Sequence, residues 1–167
     1  MYAYCLFCET RRCDEIARTI EEKYAFRCLS PKIIQRKWVK GVPHEVRHDW
    51  LPGYVFIYAE EPLEGRLNIK GILRRLGEGP LKGRDHDFAM TLFQRSGVMG
   101  TIHLSQVGDR CRIDDPAWKG IVGTLLKLDR NRKRCCVEFE FDGVKRSVWV
   151  GYEMLEPDKS RLDMLSQ

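Results

Sequence analysis

The segment CCVEFEF, Asp142-Gly143, VKRSVWV (residues 135–150) limits most sharply what this chain can fold into. Apolar and polar side chains alternate on both sides of the Asp-Gly pair. That dipeptide is a strong hairpin signal, because both central positions of the tight turn take positive φ. A period of two does not fit the 3.6-residue stripe of a helix, so the segment is expected as an antiparallel hairpin. Its β-branched and aromatic content leans the same way. The neighbouring segments are also short strands and turns: RCRI (110–113), the turn DDPAWKG (114–120), IVGTLLKL (121–128), the polar turn DRNRKR (129–134) and a last piece, Tyr152–Leu155. Five short strands are expected to curl into a small β-barrel, which removes exposed sheet edges. Gly123, inside a strand pattern, marks a bulge or a close backbone approach.

The first hundred residues read differently. Residues 2–8 are aromatic and apolar and suit a buried strand. Thr10 is placed to cap a helix with Cys13, Ile16, Ala17, Ile20 and Tyr24 on one stripe. Residues 26–39 read as extended, with a turn at Gly41-Val-Pro43 and a return over 44–49. YVFIY (54–58) is a strand after Pro52-Gly53. Residues 63–70 are expected as a short helix ended by Gly71, followed by a strand at Ile72–Leu76. Asp85 or Asp87 is expected to cap a second helix carrying Phe88, Leu92 and Phe93, stopped near Gly97. The expected fold class is therefore an α+β N-terminal domain (an antiparallel sheet with helices) followed by an all-β small barrel. The expected boundaries are 1–98, a linker at 99–106 within the uncharged run VMGTIHLSQ, the barrel at 107–157 and a tail at 158–167.

Several function classes are excluded. No apolar run approaches the roughly 20 residues a membrane span needs, and residues 1–8 lack the flanks of a signal peptide. Seven cysteines is an odd number and they are scattered, which suits a reducing cytosol, so the chain is expected to be cytoplasmic and away from membranes. Cys5-x-x-Cys8 has metal-knuckle spacing, but no second pair completes a site, and in a strand residues three apart point to opposite faces. His44 and His48 sit in a turn-rich segment, where four-residue spacing does not converge on a metal. No nucleophile elbow, P-loop, HExxH or GxGxxG is present, so neither a cofactor nor catalysis is expected. A monomer is expected.

Two stretches carry a family resemblance. Leu51-Pro52-Gly53-Tyr54-Val55-Phe56-Ile57 resembles the FPGYV(F/L)V segment of the N-terminal (NGN) domain of NusG-type transcription factors. Val107-Gly108-Asp109-Arg110-Cys111-Arg112-Ile113, with Gly123 and Lys127-Leu128-Asp129, resembles the KOW motif of their C-terminal barrel. Cys28-Leu29-Ser30-Pro31 and its distance from Pro52 are similar to the specialised paralogues, of which RfaH is the best known, and in overall character the chain is similar to the RNA-binding antiterminator LoaP. The resemblance implies an elongation or antitermination factor. Its N-terminal domain would dock on the clamp helices of RNA polymerase through Tyr4, Tyr54 and Phe56, and its barrel would contact a ribosomal protein, a termination factor or RNA. The chain departs from the general factor at Phe141-Asp142, where the family keeps an apolar pair, and a carboxylate is costly to bury there unpaired. A ribosome-associated KOW protein that only binds RNA is the alternative.

Charge gives the remaining candidates. Net charge is +5, and residues 27–48 hold six basic side chains against Glu45 alone. Arg11, Arg12, Lys40, Arg66 and Lys70 are candidates for contacting phosphates of non-template DNA. Lys127, Arg130, Arg132, Lys133 and Arg134 crowd one turn with Asp129 as the only acid, and Lys145 and Arg146 follow one hairpin later. These seven are candidates for RNA, including a leader hairpin. Trp118 either stacks on a base or covers the end of the barrel.

Overall fold

In the computed structural model, which describes residues 1–156, strands dominate and two α-helices are present. The segment read as a tail, 158–167, lies outside the described residues. In chain order the elements are β1 (Tyr2–Cys8), a 3-10 turn (Thr10–Arg12), α1 (Cys13–Tyr24), β2 (Arg27–Leu29), β3 (Lys32–Val39), β4 (Val42–Asp49) and β5 (Tyr54–Ala59). Then come β6 (Ile72–Arg75), α2 (Gly83–Gln94), β7 (Val98–Met99), β8 (Ile102–Val107), β9 (Arg110–Ile113), β10 (Val122–Asp129), β11 (Arg134–Phe141) and β12 (Val144–Met154).

The first unit is a four-stranded antiparallel sheet in the order β2-β5-β1-β6. Alternation along β1 and β5 divides its side chains between two faces. Tyr4, Leu6, Cys8, Val55 and Ile57 pack under the apolar stripe of α1, formed by Cys13, Ile16, Ala17 and Ile20. Ala3, Cys5, Tyr54, Phe56 and Tyr58 point the other way, to Phe88, Ala89 and Leu92 of α2. Cys5 and Cys8 therefore lie in different cores, as the strand spacing requires. A separate β4-β3-β7 sheet rises beside this unit.

The second unit is a five-stranded sheet in the order β10-β11-β12-β8-β9. Its two edge strands, β9 and β10, come into contact, so the sheet nearly closes. Asp142 (φ 54°) and Gly143 (φ 69°) form the expected tight turn between β11 and β12. Gly123 is skipped in the β10–β11 register, so the bulge reading holds and the close-approach reading does not: a Cβ there would meet nothing within 4 Å.

Four expectations need correction. Residues 63–70 form no helix. Gly65 (φ 77°) interrupts the run, and Leu63, Leu67 and Ile69 pack as a loop on the α1 core. Residues 99–106 are not a free linker: Ile102 and Leu104 are fully buried in β8, which pairs parallel with β12. The segment Tyr152–Leu155 is mostly the far end of β12, so β8 supplies the fifth strand instead. α1 begins at Cys13 after the 3-10 turn, and α2 begins at Gly83, in neither case with a side-chain cap.

The two units do not have separate interiors. On β11, Cys135, Val137, Phe139 and Phe141 share one face. The first two fill the curled sheet, while Phe139 and Phe141 run out of its open end onto the first unit. There Trp50 and Phe88 complete one apolar cluster with Trp118, Ile121 and Val122.

Candidate functional site

β5 sits beside β1 in the middle of its sheet, so Tyr54 and Phe56 are held rigidly on the α2-facing side. Gly53, at φ 90°, makes the turn into the strand, and a Cβ there would lie 3.0 Å from the Phe7 ring. The family resemblance implies an open docking face here, whereas the residue pattern alone reads as ordinary core. The structure closes it: Tyr54 is 8 % exposed and Phe56 fully buried. Phe141 is the cover, with its ring 5.7 Å from that of Tyr54, 5.3 Å from Phe56 and 5.1 Å from Phe88. Tyr4, expected on the same surface, is on the opposite face of the sheet. It is buried under α1, and its hydroxyl accepts the Leu63 N–H at 2.9 Å. The three aromatic candidates therefore do not form one site.

Around Phe141 the contact between units is aromatic at its centre and polar at its edge. Trp50 packs on Phe139 at 5.4 Å and on Trp118 at 5.6 Å. Trp118 is thus buried cover, and the base-stacking alternative is closed to it. At the edge, Arg146 donates to the Tyr54 hydroxyl at 3.2 Å with its guanidinium 5.5 Å from the ring. The Asp142 N–H donates to the Asp85 carboxylate at 3.0 Å, and Arg84 pairs with Glu140 at 3.3 Å. Gln35 donates to the Trp149 carbonyl at 2.9 Å. Asp85, expected to cap α2, instead holds the β11–β12 turn. The Asp142 side chain is exposed, so its carboxylate is not buried unpaired.

The basic candidates separate into different places. Lys127, Arg130, Arg132 and Lys133 are exposed on and around the β10–β11 turn. That turn is shaped by Asp129, which accepts the Arg132 N–H at 3.1 Å and the Arg134 Nε at 3.4 Å. The Arg132 N–H first, then Arg134, hold the Asp129 carboxyl below the usual carboxylate range. Arg134 also lies over the Trp149 ring at 4.7 Å. Lys145 and Arg146 do not sit beside this turn. They pair with Glu140 and Phe139, five or six residues along β11 from Arg134. That is roughly 17–20 Å of strand, and Arg146 is already committed to Tyr54.

Of the residues expected to meet DNA, Arg11 and Lys70 are exposed and lie near one another, since the Glu9 N–H bonds Gly71 O at 2.9 Å. Arg12 is engaged with Glu15 and Glu9 at 3.2 and 3.7 Å. Arg66 lines a trough of 970 Å³ in which Arg27, Arg74 and Arg75 are offset by Glu60, Glu61 and Glu64. Lys40 is at the far tip of the β3–β4 hairpin. These five residues make no single track.

No group of His, Cys, Asp or Glu among the described residues could hold a metal ion. All seven cysteines are free and six are buried. Burial, first, and the neighbouring Cys13 push Cys8 up to about 12; burial and Cys136 do the same for Cys135. Such thiols are packing groups, not nucleophiles. No helix among the described residues is long and apolar enough to cross a membrane.

Sequence reasoning missed Trp50, Phe139 and Phe141 as the joint between units, and Trp38 as an exposed ring. Only the density of aromatics around the Pro52-Gly53 turn and on β11 hinted at the joint. No protein-family model matches the chain, and no curated protein matches it.

Proposed function

We propose that the chain is a NusG-type elongation or antitermination factor, with an NGN-like first unit and a KOW-like second unit. In this reading the Tyr54–Phe56 face docks on an apolar helix of RNA polymerase, and the β10–β11 turn takes RNA. One observation carries it: the lid over the two rings, Phe141 with Arg146, comes from the chain's own second unit. A face covered in this way can be uncovered without unfolding the sheet that bears it. The arrangement described is then a closed form. Opening re-exposes apolar rings on both sides of the joint, Phe139, Phe141 and Trp118 as well as Trp50, Tyr54 and Phe88, so the open form is sparse until a partner binds it preferentially.

The test is co-purification of RNA polymerase with the full chain. Wild type retains little. Phe141→Ala with Arg146→Ala raises the retained polymerase at least tenfold, and adding Tyr54→Ala and Phe56→Ala removes it. Absence of polymerase from every variant that keeps its circular dichroism spectrum overturns the reading.

The burial of the rings favours a second reading, a ribosome-associated KOW protein in which the aromatic face is only core. Co-sedimentation with ribosomes, unaffected by Phe141→Ala, would select it.

A further inference from the structure

The core beneath α1 is unfinished along one border. Tyr24, Phe26, Leu63, Leu67 and Ile72 pack against it yet stay partly open, and all five line the 970 Å³ trough beside Arg66. Apolar side chains that converge without covering one another make a concave apolar wall, the usual form of a small-molecule site. The volume suits that use, since such sites run about 300–1,000 Å³.

One buried ring builds two sides of the trough. The Tyr4 hydroxyl accepts the Leu63 N–H at 2.9 Å, which ties down the loop that forms one wall. The Tyr4 ring carries the Arg75 guanidinium 5.6 Å from its centroid. Arg75 stands opposite Leu6 in the β1–β6 ladder and Leu6 belongs to the α1 core, so Arg75 is on the α1 side of the sheet. These walls are set before any ligand arrives, which lowers the ordering cost of binding.

Charge in the trough is sorted by depth. Glu60, Glu61 and Glu64 line it together with Arg27, Arg66 and Arg74, and all six are exposed. These rim charges balance in number and are screened by solvent. Arg75 is the one half-buried charge in the lining. Among the described residues it meets the Tyr4 ring but no carboxylate and no hydrogen-bond acceptor. A guanidinium with its donors untaken beside an apolar wall is matched by an anionic group.

We infer that the trough binds a small organic anion with an apolar body. Its carboxylate, sulfonate or phosphate group meets Arg75, and its body lies against Phe26, Leu63, Leu67 and Ile72. A cation is repelled by Arg75, and an uncharged molecule forgoes the charge-assisted bond. A polyanion is disfavoured, because further negative groups would lie against Glu60, Glu61 and Glu64 at the rim. The site is on the sheet face opposite Phe141 and does not depend on polymerase binding.

The experiment is a fluorescence titration of the full chain with two dyes that share one body, anionic anilinonaphthalene sulfonate and uncharged phenylnaphthylamine. Wild type binds the sulfonate about tenfold more tightly, the effect of one charge-assisted hydrogen bond. Arg75→Met removes that preference while the uncharged dye is held as before, and Arg75→Lys restores part of it. Leu67→Glu weakens both dyes, with the circular dichroism spectrum unchanged. A preference that survives Arg75→Met overturns the inference. So does binding of both dyes that Leu67→Glu leaves untouched, since the dye then sits elsewhere. Should Leu67→Glu fail to fold, Arg75→Met alone decides.

Discussion

Phe141 is the residue on which the joint turns. Its ring meets Tyr54 and Phe56 from β5 and Phe88 from α2, and it is fully buried. Truncating a buried Phe of this kind costs about 3–5 kcal/mol through lost transfer energy and the cavity left behind. Phe141→Ala should lower the urea midpoint accordingly without changing far-ultraviolet circular dichroism; a loss under 1 kcal/mol would mean the ring is not core. The cysteines give a second prediction at this scale. Burial raises Cys5 and Cys28 well above the usual thiol range and takes Cys8 and Cys135 to about 12. At pH 8 a disulfide reagent should therefore titrate about one thiol quickly, the half-exposed Cys111. The others should follow only on unfolding. Fast reaction of several would contradict the packing. Beyond the helical stripe that holds Cys13 and the alternation of each strand, this burial was not visible in the sequence, because a cysteine in an apolar run does not say what covers it.

The β11–β12 hairpin shows how much an element owes to its own residues. Alternation and the Asp142-Gly143 pair were enough to place both strands and the turn, because positive φ at two successive positions is a local demand. Gly143→Ala puts a Cβ where φ is 69° and should cost about 1 kcal/mol, measured by chemical denaturation. The 63–70 loop and β8 are the opposite case. Residues 63–70 read as a short helix, yet Gly65 at φ 77° breaks it and the loop is held by packing and by Tyr4. Residues 99–106 carry no charge and no clear period, so they read as linker. Their strand, β8, exists because β12 extends to Met154 and offers it a parallel partner. A pairing decided by a segment fifty residues away leaves little local trace.

For the whole molecule, the shared cluster predicts one unfolding event. Trp50 and Phe88 on one side and Phe139 and Trp118 on the other cannot separate without exposing one another. Urea unfolding followed by circular dichroism and by tryptophan fluorescence should give coincident transitions. Two resolved transitions would show that the units fold apart. Local chemistry determined by itself the hairpins, the apolar stripe of α1, the Gly123 bulge, the basic β10–β11 turn and the division of Cys5 from Cys8, because periodicity and turn geometry act over a few residues. Only tertiary structure decided that Tyr4 and Tyr54 face opposite cores, that Lys145 and Arg146 lie far from the basic turn, and that Phe141 closes the aromatic face. Each depends on which surface is laid against which, and packing between distant segments is set by complementary shape that no single stretch of sequence contains.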